Sequence, residues 1–326
     1  MDSTRQVCII GGGAVGSVLA YFLHRSGVST IPVYYASRES VLEVERQGGV
    51  VAVDRRAGSE YLVPVEPRHY SEPRERCVFV LNAVKALDVP RSLELAARLV
   101  LENSVLVMLQ NGFGSLEQAE ERFPGLKVAG GVVYFAAERV GRARVVYYGG
   151  DAVVVGCRRS ACEELRVLED IFRRGGLDFR VVDNIDHYRW IKLAVNAVIN
   201  PLTAITRSRN SIVLEEEGVR LAELIVREVC EAARLHGYEL DTARLLKHVL
   251  RVVEASRDNY SSMAQDIAAG RATEVDYING FIARELGEKS TVNTVLTLLV
   301  KLLEKASKRR KLRSESVEGE KAGSMY

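Results

Sequence analysis

The chain of 326 residues has no run of about 18 apolar residues, the length a helix needs to cross a bilayer, so no membrane partner is expected. Charge of one sign is also missing: 45 Lys and Arg face 43 Asp and Glu, and the formal net charge of +2 leaves no basic surplus for nucleic acid. Five cysteines (Cys8, Cys77, Cys157, Cys162, Cys230) include no CxxC pair and no His at ligand spacing, which argues against a metal site. Cys157 and Cys162 are near enough for a disulfide, but two free buried thiols in a reducing compartment are the expectation. Met1 to Gln6 is polar and the apolar run after it is broken at once by glycines, so no signal peptide is read and a cytoplasmic location is expected. Gln is scarce and Arg outnumbers Lys, a bias that thermophily and a GC-rich genome both produce. Repeats and Pro/Gly/Ser-rich linkers are absent. What remains, with 47% hydrophobic and 27% charged residues, is a chain long enough for two closely joined domains.

The first half reads as a nucleotide fold. Val7 to Ile10 is a continuous apolar run of the kind a buried parallel strand shows, and GGGAVG follows it directly. Gly11, Gly13 and Gly16 supply the G-x-G-x-x-G fingerprint at the start of a helix that Val15, Val18, Leu19, Phe22 and Leu23 extend to Gly27. Such a loop, with Ala14 and Val15 in its first helical turn, offers backbone amides and a helix N-terminus to a pyrophosphate. Strands are expected at Thr30 to Tyr35, Cys77 to Ala83 and Ser104 to Leu109, with a helix from Pro90 to Leu101 between the last two. Arg38 lies beyond the second strand, where it suits a 2′-phosphate, so NADP is favoured; Glu39 beside it keeps NAD open. Lys85 and Asn111 each follow a strand end and point to the cofactor cleft, although either alone is an ordinary loop residue. The runs VAGGVVYFAA, RVVYYGG and DAVVVGC suggest further strands completing this domain near residue 182.

From about Asn184 the pattern becomes helical. In WIKLAVNAVINPLTA, Lys192, Asn196 and Asn200 recur every fourth residue and so line one narrow helix face, while Trp190, Ile191, Leu193, Val195, Val198 and Ile199 cover the rest. A buried, unpaired Asn costs about 1–3 kcal/mol, so this polar line needs partners in the protein or in a ligand. Pro201 is expected to end or kink the helix after Asn200. A second segment, RDNYSSMAQDIAAGRATEVDYING, carries an S-x-x-Q capping box, Ser262 to Gln265, which starts a helix at Ser262. That helix start either caps only or receives a carboxylate with the help of Asn259 and Ser262. Glu274 lies 12 residues on, beside an apolar, Tyr-containing stretch. The end, 307–326, is charged and expected to be a disordered, solvated tail.

GGGAVG, the VKA around Lys85, the QNGFG around Asn111, KLAVNAVINPLTA, DNYSSMAQDI and TEVDYING resemble, in order, the motifs of the ketopantoate reductase family, to about residue 305. The resemblance implies an α/β fold, an N-terminal Rossmann-type doubly wound sheet (1–182) followed by an all-α C-terminal domain (183–306). It also implies NADPH-dependent reduction of 2-dehydropantoate to pantoate on the way to coenzyme A. Lys192 aligns with the family's catalytic lysine and Glu274 with its active-site glutamate. Asn196, Asn200, Asn210, Asn259 and Ser262 align with substrate-side residues, and Asn111 with the asparagine at the nicotinamide and substrate junction. Ala137 matches a cofactor-contacting alanine, and Arg38 stands for the arginine that takes the 2′-phosphate. The expected account has hydride passing to the C2 ketone while Lys192 gives the proton, kept charged by Glu274. Partners are a small 2-keto acid and, as an open option, a second copy in a homodimer. Three rival readings are a reductase of another branched 2-keto acid, a noncatalytic NADP-binding regulator, and a protein-interaction role through the basic tail.

Overall fold

Val7–Ile10 forms β1, and its alternation already divides the domain into layers: Val7 and Ile9 enter one hydrophobic cluster, Cys8 and Ile10 the cluster on the other face. The computed structural model describes residues 7–150, 152–159 and 162–323, with side chains to 309. After β1 come α1 (Ala14–Arg25), β2 (Pro32–Tyr35), α2 (Arg38–Gln47), β3 (Val50–Asp54), β4 (Ser59–Val63), β5 (Glu66–His69) and β6 (Cys77–Asn82). They are followed by α3 (Val89–Leu99), β7 (Val100–Met108), α4 (Ser115–Arg122), β8 (Lys127–Val133), β9 (Ala136–Gly141), β10 (Arg144–Gly149), β11 (Ala152–Cys157), α5 (Leu165–Gly175) and β12 (Asp178–Val181).

Eight strands form one sheet in the order β12-β11-β8-β7-β6-β1-β2-β5, parallel throughout except between β11 and β8. This is the doubly wound sheet expected from the alternation of strand and helix. A second sheet, β4-β3-β10-β9, was not legible in the sequence. Its strand β4 is mostly exposed and its strand β9 entirely so or half-buried, so neither carries a clear hydrophobic period.

The second unit is helical: α6 (Ile185–Thr206), α7 (Glu216–Leu235), α8 (Thr242–Ala255), α9 (Ser262–Ala268), α10 (Asn279–Leu286) and α11 (Val292–Gly323). The two compact units divide between Arg189 and Trp190, inside α6, later than the boundary at 182/183 read from the sequence. Trp190 is fully buried against His236 and Phe281, with ring centroids 5.5 and 5.9 Å away. The start of α11 is fixed by Glu228 of α7, whose carboxylate accepts from the main-chain N–H of Thr291, Val292 and Asn293 at 2.8–3.0 Å, satisfying amides a helix start leaves open.

Three expectations are corrected. Pro201 does not end its helix, which continues to Thr206. The segment expected to be disordered from 307 instead prolongs α11 to Gly323, in keeping with its Lys, Arg, Glu and Leu, which are strong helix formers. Cys157 and Cys162 are not two free thiols but are bonded to each other; Cys8 on β1 is bonded to Cys77 on β6, and Cys230 is free. Among the described residues no helix is long and apolar enough to cross a membrane.

Candidate active site

The glycine loop is built for close approach. Gly11 has φ of +100°, a conformation L side chains rarely adopt, and a Cβ there would stand 2.9 Å from the main-chain nitrogen of Val84. A Cβ on Gly16 would lie 2.0 Å from the Gly11 carbonyl oxygen, so only glycine lets α1 start this close to β1. At Gly13, by contrast, no atom of the described residues beyond its own chain neighbours lies within 4 Å of the added carbon, so packing within the protein does not demand a glycine there. A pyrophosphate approaching the loop does demand one, and in this respect the residues present fit a dinucleotide. Ala14 and Val15, half-buried in the first turn of α1, lie beside it.

Beyond β6 and β7 the loops bearing Lys85 and Asn111 are tied together by a residue the sequence reading passed over. Gln110 Nε2 donates to the Asn82 carbonyl at 2.9 Å and to the Val84 carbonyl at 3.2 Å. Lys85 then precedes a short 3-10 turn at Ala86–Asp88, and Ala137 lies on β9 opposite Tyr147. Farther along, Glu117 caps the turn after Asn111 by accepting from Gly114 N at 2.8 Å. It also pairs with Arg189 at 2.9 Å, whose guanidinium stacks 4.0 Å from the Phe113 ring centroid. Burial alone would push the Glu117 carboxyl up, but Arg189 and Arg158 more than reverse that and hold it at about 2.

At the end of β2, Ser37 caps α2 by accepting from Ser40 N at 3.3 Å. Arg38 is exposed, paired with Glu72 at 3.1 Å and donating to Ser71 at 3.4 Å. Two arginines that no local sequence signal marks reach the same place, one from the β9–β10 turn and one from β9: Arg142 donates to Ser37 Oγ at 3.3 Å and Arg139 to Ser40 Oγ at 3.1 Å.

The helical unit carries the remaining candidates. Lys192 is half-buried on α6, and Asn196 and Asn200 below it are buried, so the polar line faces inward as its spacing implied. Burial lowers the Lys192 ammonium to about 8. At pH 7 the charged form still predominates. His248 on α8 lies near enough to be pushed down by Lys192, after burial and Arg251.

Glu274 is buried, and its neighbour Thr273 fixes it by donating through both N and Oγ1 to Glu304 of α11 at 2.6 Å. Asn210 is buried at the turn after α6, but its amide donates to Ser256 O and Oγ at 3.1 and 3.0 Å, so it braces the loop before α9. That loop carries Asn259, whose side chain is exposed while its carbonyl accepts from Asn210 N at 2.9 Å.

The cap of α9 is Ser261, one residue before the expected Ser262. Its Oγ accepts from Ala264 N at 3.0 Å and lies 2.6 Å from Thr203 Oγ1 of α6. Gln265 donates instead to Tyr260 O, so no capping box forms, and Ser262 is exposed on the first turn. A seven-residue helix with its cap turned onto α6 leaves Ser262 and Asn259 on the rim of the loop, while Asn200 and Thr203 lie beneath it. Within this unit the fold thus brings Asn200, Asn210, Asn259 and Ser262 into one neighbourhood through Thr203, Ser256 and Ser261.

Residues 7–160 match the family model described as "Ketopantoate reductase PanE/ApbA" and residues 184–306 the one described as "Ketopantoate reductase PanE/ApbA C terminal". The 2-dehydropantoate 2-reductase of Pyrobaculum aerophilum is 33% identical over 308 residues, covering 91% of this chain and 97% of the relative. That of Archaeoglobus fulgidus is 30% identical, covering 92% and 98%. Among solved structures, D-mandelate dehydrogenase in a ternary complex with NADH and anilino(oxo)acetate is similar with a TM-score of 0.87 at 25% identity, covering 93% of this chain and 99% of that one. The ketopantoate reductase from Ralstonia eutropha JMP134 follows with a TM-score of 0.81 at 26% identity, covering 93% and 99%.

Proposed function

This chain belongs to the ketopantoate reductase family, and on that premise we propose that it reduces 2-dehydropantoate to pantoate with NADPH, Lys192 giving the proton. The observation that carries the reading is the inward-facing line of half-buried Lys192 and buried Asn196 and Asn200 on α6. When bound, the reduced nicotinamide supplies the hydride for the C2 ketone. The glycine loop (Gly11, Gly13, Ala14, Val15, Gly16) takes the pyrophosphate on backbone amides and the α1 N-terminus. Arg38 serves the 2′-phosphate, while Lys85, Asn111 and Ala137 line the nucleotide side.

Lys192 stabilises the alkoxide that develops at C2 and protonates it, for which an ammonium at about 8 is well matched near neutral pH. Asn196 and Asn200 orient the lysine and the nascent hydroxyl. Glu274, Asn210, Asn259 and Ser262 form the substrate side, with the loop before α9 taking the carboxylate. The enzyme acts in the cytoplasm, and a homodimer fits the apolar stripe that α11 exposes at Val295, Leu298, Leu299 and Leu302.

One other reading has its own support: the similarity to a D-mandelate dehydrogenase bound to NADH admits a different 2-keto acid and NADH on the same scaffold. Consumption of NADPH, and separately NADH, is therefore measured with ketopantoate, ketoisovalerate and pyruvate. Highest kcat/KM for ketopantoate with NADPH supports the proposal; a preference for another keto acid replaces the substrate and keeps the reaction.

A further inference from the structure

Arg142 sits in the turn between β9 and β10, 105 residues from Ser37, yet its Nη1 donates to Ser37 Oγ at 3.3 Å. The turn is held rigidly for this. Arg139 donates through Nε to Gly141 O at 3.0 Å and through Nη2 to Arg142 O at 2.9 Å, and that same Nη2 reaches Ser40 Oγ at 3.1 Å. Ala143 O in turn accepts from Val51 N at 2.8 Å. Three guanidinium groups, those of Arg38, Arg139 and Arg142, therefore surround Ser37 and the N-terminus of α2, at the carboxyl end of β2.

Each outward arginine holds a replaceable partner. Arg142 lies 3.9 Å from Glu39, with side chains 54% and 71% exposed, and Arg38 lies 3.1 Å from Glu72. Exposed pairs of this kind are weak, so a dianion with three acceptor oxygens displaces them readily. Glu39 hydrogen-bonds the Ser37 hydroxyl and approaches Arg142, and both contacts hold its carboxyl below the usual range, the Ser37 bond most. Its carboxylate thus stands in the place of an anion. Nearby, Tyr35 is buried with its ring against Gly12, and among the described residues its hydroxyl has no hydrogen-bond partner. A buried, unpaired hydroxyl beside the nucleotide loop is a group that awaits a ligand.

We infer that Arg142 is a second specificity-determining residue, gripping the 2′-phosphate of NADPH opposite Arg38, with Glu39 as the internal carboxylate that the phosphate displaces. The inference rests on the NADPH reading above. Arg139 is a positioning residue that aims the turn. Glu39 weakens binding of the phosphorylated cofactor by competing for Arg142, and it favours the cofactor without the phosphate.

Binding needs no turnover to be read, so the test is calorimetric titration of the whole protein with adenosine 2′,5′-bisphosphate and with 5′-AMP, for wild type, Arg142→Ala, Arg142→Lys and Glu39→Gln. The expected result is a wild-type preference for the bisphosphate that falls about tenfold or more in Arg142→Ala, recovers in part in Arg142→Lys and rises in Glu39→Gln, while 5′-AMP affinity stays level. Arg142 lies on an exposed turn, and thermal melts confirm that the variants are folded. A wild-type preference that survives Arg142→Ala overturns this inference alone, as does an equal loss for both ligands. Wild type binding both ligands equally overturns it together with the NADPH reading; wild type binding neither overturns the nucleotide reading as a whole.

Discussion

Asn279 Nδ2 donates at 2.9 Å to the main-chain oxygen of Ala197, the acceptor that Pro201, four residues later and without an N–H, leaves unserved. The same amide donates to Asn293 Oδ1 at 2.8 Å, so α10 links the middle of α6 to the start of α11. Pro201 alone reads as a helix stop. The donor that lets α6 continue to Thr206, and so carry Thr203 to Ser261, lies 82 residues away from Ala197.

Removing that donor is expected to destabilise the protein. Asn279→Ala leaves the buried Ala197 carbonyl unpaired at a cost of about 1–3 kcal/mol. Adding Pro201→Ala restores a helical N–H to that carbonyl, so the double variant is expected to recover part of the loss. Chemical denaturation of the two single variants and the double variant measures it; strictly additive losses would count against the relationship.

Lys192 sets a pH dependence. With Lys192 as the proposed proton donor and burial lowering its ammonium to about 8, kcat for ketone reduction is expected to fall as pH rises through about 8. In the reverse direction the rate is expected to rise over the same range. Steady-state profiles in both directions check it. The stability consequence has the opposite sense to reduction: between about 8 and the ordinary value of 10.5 the unfolded chain binds more protons, so this residue makes stability rise with pH there.

Glu117 predicts an acid limit. Its folded value of about 2 lies below the ordinary 4.5, so its contribution is present above about 4.5 and is lost as pH falls through the window toward 2. Glu117→Gln is expected to be less stable at pH 7 and to flatten the acid limb of a plot of melting temperature against pH. An unchanged acid limb would assign the acid loss to other carboxylates.

The cysteine pairing gives a chemical count. With Cys8–Cys77 and Cys157–Cys162 bonded, protein denatured without reductant is expected to label at Cys230 alone, and at all five cysteines after reduction. Reduction is also expected to lower the melting temperature, chiefly through Cys8–Cys77, which spans 69 residues. Five labels before reduction would contradict the pairing.

Much of the nucleotide half was legible because its signals are local: four apolar residues, then glycines, then a helical period, within the first 30 positions. The polar face of α6 was legible for the same reason, since residues four apart share a face wherever the helix lies. The contributions of Arg142, Gln110 and Asn279 were not, because each depends on a partner 26 to 105 residues away that no period encodes. The capping residue was misplaced by one because Ser261 and Ser262 are chemically alike. What selects Ser261 is Thr203, on a different helix.

The central claim is that the buried polar line on α6 serves a ligand through Lys192, and single-turnover reduction of ketopantoate by Lys192→Ala tests it most directly, beside a titration showing that NADPH still binds. The account predicts that cofactor affinity is kept while the rate falls by about 100-fold or more. A variant that binds NADPH and reduces ketopantoate within about tenfold of wild type would contradict it, and would return Lys192, Asn196 and Asn200 to a purely structural role.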